Sequence, residues 1–184
     1  MKMKTEKQIV SSNQFEIMIE RLSHQLIENH SDFSETILVG LQPRGVEFTN
    51  RVLEKLIEIT KNKDIISGSL DITFFRDDFG RRDTPIEAQE LDMNVSVEGK
   101  KVVLIDDVLF TGRSIRAGMD ALMSFGRPKQ VELMVLIDRR LKRHLPIQPN
   151  YVGKTVDSIS SERVVVKWKS EDVKDEIILL KSEE

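Results

Sequence analysis

Val102-Val-Leu-Ile-Asp-Asp-Val-Leu-Phe-Thr-Gly-Arg-Ser114 is the stretch on which the fold of this 184-residue chain turns. Val102 to Ile105 is wholly apolar, as a strand buried on both faces requires, and strands of that kind belong to parallel sheets. Asp106-Asp107 closes the strand and Thr111-Gly112 makes a turn. Ile115, Met119 and Leu122 then repeat at helical spacing until Gly126 and Pro128 end the helix.

Outward from this segment the same unit recurs. Thr36-Ile-Leu-Val-Gly-Leu41 reads as a buried strand, Gln42-Pro-Arg-Gly45 as its loop, and Phe48, Val52, Leu53 and Leu56 as the apolar stripe of the next helix. Ser11 and Gln14 have capping-box spacing ahead of Phe15, Met18, Ile19, Leu22 and Leu26, which predicts a first helix over about Ser12 to Asn29. Ile66, Gly68, Leu70, Ile72 and Phe74 alternate and predict a strand ending near Phe75. Val131 to Ile137 is a third buried strand. Shorter strands are expected around Tyr151 to Val156, Arg163 to Trp168 and Ile177 to Leu180. Alternating strands and helices imply an α/β fold, a mainly parallel sheet flanked by helices, within a single domain over 1–184. Residues 1–10 are expected to be loose. The polar run 76–94, with Gly80 and Pro85, reads either as a mobile flap or as an idle loop.

Composition narrows the function. At 39% hydrophobic and 32% charged residues the chain has the apolar material for a core and exceeds what a disordered chain carries. It has no cysteine, which rules out disulfides, thiolate metal sites and a cysteine nucleophile. No apolar core follows the lysine-rich Met1 to Gln8, and no run approaches the roughly 20 apolar residues of a membrane span, so a cytoplasmic protein is expected. The formal charge of -3 gives no global attraction to nucleic acid, so any such binding needs a local basic patch.

Ligands of open α/β sheets bind beyond the carboxyl ends of the strands, where Gln42-Pro-Arg-Gly45, Asp106-Asp107 and Asp138-Arg139 all fall. The two acids can accept hydrogen bonds from sugar hydroxyls, while Thr111 to Ser114 offers backbone N–H groups at a helix start to a phosphate monoester. A phosphorylated sugar satisfies both. The chain lacks the Gly-x-x-x-x-Gly-Lys and Gly-x-Gly-x-x-Gly patterns, which disfavours triphosphate and dinucleotide sites.

The thirteen-residue string closely resembles the 5-phosphoribosyl-1-pyrophosphate (PRPP) motif of the type I phosphoribosyltransferases. The resemblance extends to the PyrR family of pyrimidine operon attenuators and uracil phosphoribosyltransferases. It runs through Ile37-Leu-Val-Gly40 with Arg44-Gly45, Asp71-Ile-Thr73 with Arg76-Asp-Asp78, and Ala117-Gly-Met-Asp-Ala-Leu122. Gly126-Arg-Pro128, Asp138-Arg139, Leu145-Pro-Ile147 and Tyr151-Val-Gly-Lys154 continue it. Gln42-Pro43 stands where that family often has a basic residue, and the loop Arg139 to His144 is about one residue longer than the family's.

The resemblance implies a type I phosphoribosyltransferase-like fold with a small hood and a mobile flap. It implies that Asp106 and Asp107 hold the ribose hydroxyls and act catalytically with Arg44, which would face pyrophosphate beside Gly45. Val108, Leu109, Phe110, Thr111, Gly112, Arg113 and Ser114 would form the PRPP and phosphate seat, and Arg76, Arg81 and Arg82 would reach in from the flap. The base would lie near Ile137, Asp138 and Val156. Arg21, His24, Arg140, Lys142 and Arg143 either face pyrimidine-operon leader RNA or form an ordinary solvated surface. Magnesium is expected to be bridged by substrate rather than held in a dedicated protein cage. Uracil, PRPP and UMP are the implied ligands and a homodimer or larger homo-oligomer the implied assembly. An RNA-binding regulator with little catalysis, or an enzyme for another base such as a 6-oxopurine, is the alternative. A cis bond is expected at Gln42-Pro43, because proline lowers the cost of that geometry.

Overall fold

The computed structural model describes residues 4–76, 96–159 and 161–182. Along it run β1 (Lys4–Val10), α1 (Ser12–His30), β2 (Thr36–Leu41), α2 (Arg44–Thr60), β3 (Ile66–Leu70), β4 (Lys101–Leu109) and α3 (Arg113–Met123). Then come β5 (Gln130–Arg139), β6 (Tyr151–Val156), β7 (Glu162–Lys167) and β8 (Glu176–Ser182). Five strands pair in the order β3-β2-β4-β5-β6, each neighbour parallel, and β1-β8-β7 form a separate antiparallel sheet, the hood.

The uninterrupted apolar strands are explained by helices on both faces. Leu38, Val103, Ile105, Met134 and Leu136 join a core with Phe15, Leu22 and Leu26 of α1 and Phe48, Val52 and Leu56 of α2. The alternate residues Ile37, Val39, Val102, Leu104, Leu133 and Val135 join Ile115, Ala121 and Leu122 of α3 in a second core. Trp168, after β7, ties the hood to the first of these, meeting Phe15 edge-on at a ring separation of 5.0 Å. The hood is also fastened by Ser12 Oγ, which donates to the Asp175 carbonyl at 2.6 Å, and by Arg51, whose Nη2 lies 3.1 Å from an Asp175 oxygen.

The capping box of α1 forms between Ser11 and Gln14, and the helix runs one residue past its expected end, to His30. Three expectations are corrected. β4 does not close at Asp106-Asp107 but runs on through them to Leu109, still paired with β5. Lys4–Val10, within the segment expected to be loose, is β1, paired along β8. Its sequence is polar apart from Ile9 and Val10, so pairing with the apolar β8, and not its own pattern, makes it a strand. The predicted strand to Phe75 stops at Leu70, because an Asp71 side-chain oxygen accepts from Thr73 N at 2.8 Å and from Thr73 Oγ1 at 2.6 Å. That local turn leads into a 3-10 turn over Thr73–Phe75 and interrupts the extended chain in spite of its alternation.

No helix among the described residues is long and apolar enough to cross a membrane.

Candidate functional site

The carboxyl end of β4 runs into the turn before α3, and there the chain encloses a cavity of about 590 Å³. Arg76, Asp106 and the run from Val108 to Ile115 line it, whereas Asp107, Arg44 and Gly45, expected at the same site, are not among its lining residues. Gly112 makes the turn with φ +91°, a left-handed conformation that favours glycine, and a Cβ there would meet Ile147 Cδ1 at 3.2 Å. α3 starts at the next residue, so the first turn of a helix borders the cavity, with the Arg113 N–H donating to Thr111 Oγ1 at 3.4 Å.

On the other side of β4, Gly45 packs against the strand just before the acids. A Cβ at Gly45 would lie 2.2 Å from the Ile105 carbonyl oxygen and 3.2 Å from Asp106 Cα. Only glycine allows α2 to start that close. The Gln42–Pro43 bond is cis. Arg44 opens α2 and is exposed.

Asp106 is 9% exposed, and its carboxyl is held well above the usual range, first by burial and then by the neighbouring Asp107. The Asp107 N–H, donating to Asp106 Oδ1 at 3.0 Å, and the charge of Arg76 oppose this without cancelling it. Burial also raises Asp107, against the pull of Arg44. Two adjacent carboxylates in poor solvation are an unmet demand for hydrogen-bond donors or a cation. Among the described residues no group of three or more metal-ligating side chains gathers, so a divalent ion at this pair would depend on further oxygens from a ligand and water.

The back of the turn is braced by the basic segment after β5. Arg143 Nη1 donates to the Phe110 carbonyl at 2.8 Å, and its other end pairs with Asp138. The N–H groups of His144 and Leu145 donate to the Thr111 carbonyl at 3.0 and 3.2 Å. Arg139 is buried and lies over the Phe110 ring, its guanidinium carbon 3.9 Å from the centroid.

Several expected residues are therefore placed differently. Arg143, expected on the RNA face, is half-buried and directed at the turn before α3, because the Phe110 carbonyl and Asp138 together satisfy its fork of donors. Asp138, expected at the base, is occupied by Arg143. Ile137 is fully buried and Val156 is 9% exposed, and neither is among the residues that line the cavity. Arg21 donates to the carbonyls of Val152 and Gly153 at 3.0 and 2.6 Å, and His24 is exposed. Arg140 and Lys142 are exposed, the former paired with Asp157 through both oxygens at 2.6 and 2.8 Å. Arg81 and Arg82, with the flap segment from 77 onward, lie outside the described residues.

A family model described as phosphoribosyl transferase domain matches residues 5–171. A protein of Enterococcus faecalis described as bifunctional protein pyrR is 39% identical over 178 residues, covering 97% of this chain and 98% of that protein. The protein of that name in Halalkalibacterium halodurans is 45% identical over 161 residues, 86% of this chain and 88% of its own. Among solved structures, a hypoxanthine phosphoribosyltransferase of Staphylococcus aureus superposes with a TM-score of 0.64 at 19% identity, over 83% of this chain and 80% of that one. A hypoxanthine-guanine phosphoribosyltransferase of Bacillus anthracis does so with a TM-score of 0.64 at 18% identity, over 82% and 84%. These likenesses establish the shared α/β architecture.

Proposed function

Because this chain belongs to the PyrR family of phosphoribosyltransferases, we propose that it makes UMP and pyrophosphate from uracil and PRPP, and binds pyrimidine-operon leader RNA under the control of UMP. One observation carries the enzymatic half: a single cavity joins a buried, poorly solvated acid to a glycine turn and a helix N-terminus. Each part answers a different part of PRPP. The 5-phosphate takes the N–H groups of Thr111 to Ser114, where the partial positive charge of α3 favours an anion. The ribose hydroxyls donate to Asp106 and Asp107.

In the reaction the bond from the anomeric carbon to the pyrophosphate oxygen breaks, the bond from that carbon to uracil N1 forms, and the N1 proton is lost. Positive charge builds on the sugar between the two events, and fixed carboxylates beside it lower the barrier. Arg44 meets the departing pyrophosphate. A magnesium ion suits the oxygen-only donors of Asp106 and Asp107, which would hold it together with substrate oxygens and water, and it would offset the charge of the leaving group.

The substrate is tested by offering uracil, hypoxanthine and guanine with PRPP and magnesium and measuring pyrophosphate release. Uracil should support it far better than either purine. Preferred use of hypoxanthine would contradict the reading.

The regulatory half draws on the family and on exposed cations in an acidic chain. A two-fold dimer would bring Arg21 and His24 together with Arg140 and Lys142 from both copies on one face. The pairing of Arg140 with Asp157 is exposed, so a phosphate can displace it at little cost. Alanine at both Arg140 and Lys142 should weaken binding of pyrimidine-operon leader RNA. It should also flatten the dependence on salt, by about 0.7–0.9 in log-log slope for every phosphate that no longer meets a cation. Turnover of uracil should be spared, since neither side chain borders the cavity. Titration against leader RNA and a scrambled hairpin, with and without UMP, reads this. Equal affinity of the unaltered protein for both RNAs would remove the regulatory half.

A further inference from the structure

Arg139 stands in the basic segment, yet its environment is that of the core. It is 6% exposed. Its Nε donates to Ser158 Oγ at 2.7 Å, and its Nη2 to the carbonyls of Ile159 and Glu162 at 3.1 and 2.8 Å. No carboxylate accepts from it in these bonds. Burial pulls its pKa down, and the charge of Glu162 acts against this. A desolvated cation held by neutral acceptors attracts an aromatic face strongly, and the face it meets is Phe110, which borders the cavity.

Phe110 and Thr111 have a particular geometry behind them. The Phe110 carbonyl accepts from Arg143, and the Thr111 carbonyl accepts from the N–H groups of His144 and Leu145. Neither of the peptide bonds that follow is cis. In a trans peptide the N–H points opposite to the carbonyl, so carbonyls drawn to the back of the turn aim the N–H groups of Thr111 and Gly112 toward the front, where the cavity lies. This aim depends on the Phe110 residue staying seated. The carbonyl is held by Arg143, and the ring is held by Arg139, which is itself fastened to the loop entering the hood.

We propose that Arg139 is a positioning residue for the 5-phosphate: by clamping the Phe110 ring it fixes the peptide groups that bind the phosphate, without touching the ligand. The inference rests on the PRPP reading above and adds to it the device that preorganises the phosphate seat. The affected interaction lies at the 5-phosphate, away from the reacting carbon, so its loss weakens substrate and transition state alike. It should therefore raise KM for PRPP more than it lowers kcat.

The test uses the full chain with Arg139→Met, Phe110→Leu, Phe110→Tyr and the double variant Arg139→Met/Phe110→Leu. Steady-state kinetics with PRPP should give a KM about 10-fold higher for Arg139→Met and Phe110→Leu, with kcat changed less than about threefold. Phe110→Tyr restores the ring and should bring KM back toward the unaltered value. The double variant should be no worse than about twofold beyond the weaker single variant, because both act through one interaction, whereas independent effects would multiply to about 100-fold. A KM for PRPP unchanged in both single variants would overturn the inference, as would multiplication in the double. A fall in thermal stability with no change in KM would mean that the clamp is structural only, and would also overturn it. If Arg139→Met does not fold, the contrast between Phe110→Leu and Phe110→Tyr decides, since Arg139 keeps its other partners in both. Failure of the unaltered protein to use PRPP overturns the parent reading, and this inference with it. Normal use with unaffected variants overturns this inference alone.

Discussion

Asp106→Asn and Asp107→Asn should each lower turnover of uracil and PRPP by about 10²-fold or more while leaving the protein folded. Asparagine keeps the shape of the side chain and removes the charge that would face the developing cation. Stability should move the other way. Asp106 binds its proton more tightly in the folded chain than in the unfolded one, since burial and Asp107 raise its pKa. Folding is therefore opposed as pH rises from the unfolded value of about 3.9 and the proton must leave a buried group. At neutral pH the Asn variant escapes that cost and should melt at or above the temperature of the unaltered protein. Kinetics and a melting curve at about pH 7.5, where the unfolded acid is fully ionised, check both signs together. Near-normal turnover in both variants would remove the acids from the mechanism, and a large fall in melting temperature would mean that they hold the fold instead.

Gly45→Ala should be nearly as damaging for a steric reason. The added Cβ would fall 2.2 Å from the Ile105 carbonyl oxygen, a backbone atom with no flexible end to move aside, in the central strand of the sheet. Either α2 or β4 has to shift, and the next residue along β4 is Asp106. Overpacking of this sort costs about 1–3 kcal/mol, which for a chain of this size lowers the melting temperature by about 2–12 °C. Displacement of a reacting group by about 1 Å can cost 10²-fold in rate. The expected result is a folded, cooler-melting protein with turnover down about 10²-fold. Turnover within about twofold of normal would mean that the approach of α2 does not set the position of the acids.

The central sheet was legible because its strands are buried on both faces. Thr36 to Leu41, Val102 to Ile105 and Val131 to Ile137 carry apolar runs that suit little else, and the acids late in β4 and the glycine turns beyond the strands mark the ligand side. β1 was not, since its strand character comes from β8, a partner far along the chain. The end of β3 was hidden by an alternation that continues past it, while a single Asp71 side chain redirects the backbone. The phosphate seat could be read because its chemistry is local and contiguous. The brace behind it could not. Arg139 and Arg143 look like neighbours in one basic patch, and only the packed chain separates them, burying the first on a ring and turning the second toward a carbonyl while Arg140 and Lys142 stay exposed. An arginine closing a strand of core residues was the one signal for the brace, since a side chain at the end of such a strand can fold back over the core as readily as it can reach solvent.

On the proposed function the segment from Asp106 to Ser114 receives PRPP, with the sugar at the acids and the 5-phosphate at the helix start. The decisive measurement is a crystal structure of the unaltered protein with PRPP and magnesium. The predicted result has the ribose hydroxyls on Asp106 and Asp107 and the 5-phosphate within hydrogen-bond distance of the N–H groups of Thr111 to Ser114, with Arg139 still over Phe110. PRPP bound elsewhere, or bound with its 5-phosphate away from those N–H groups, would contradict it.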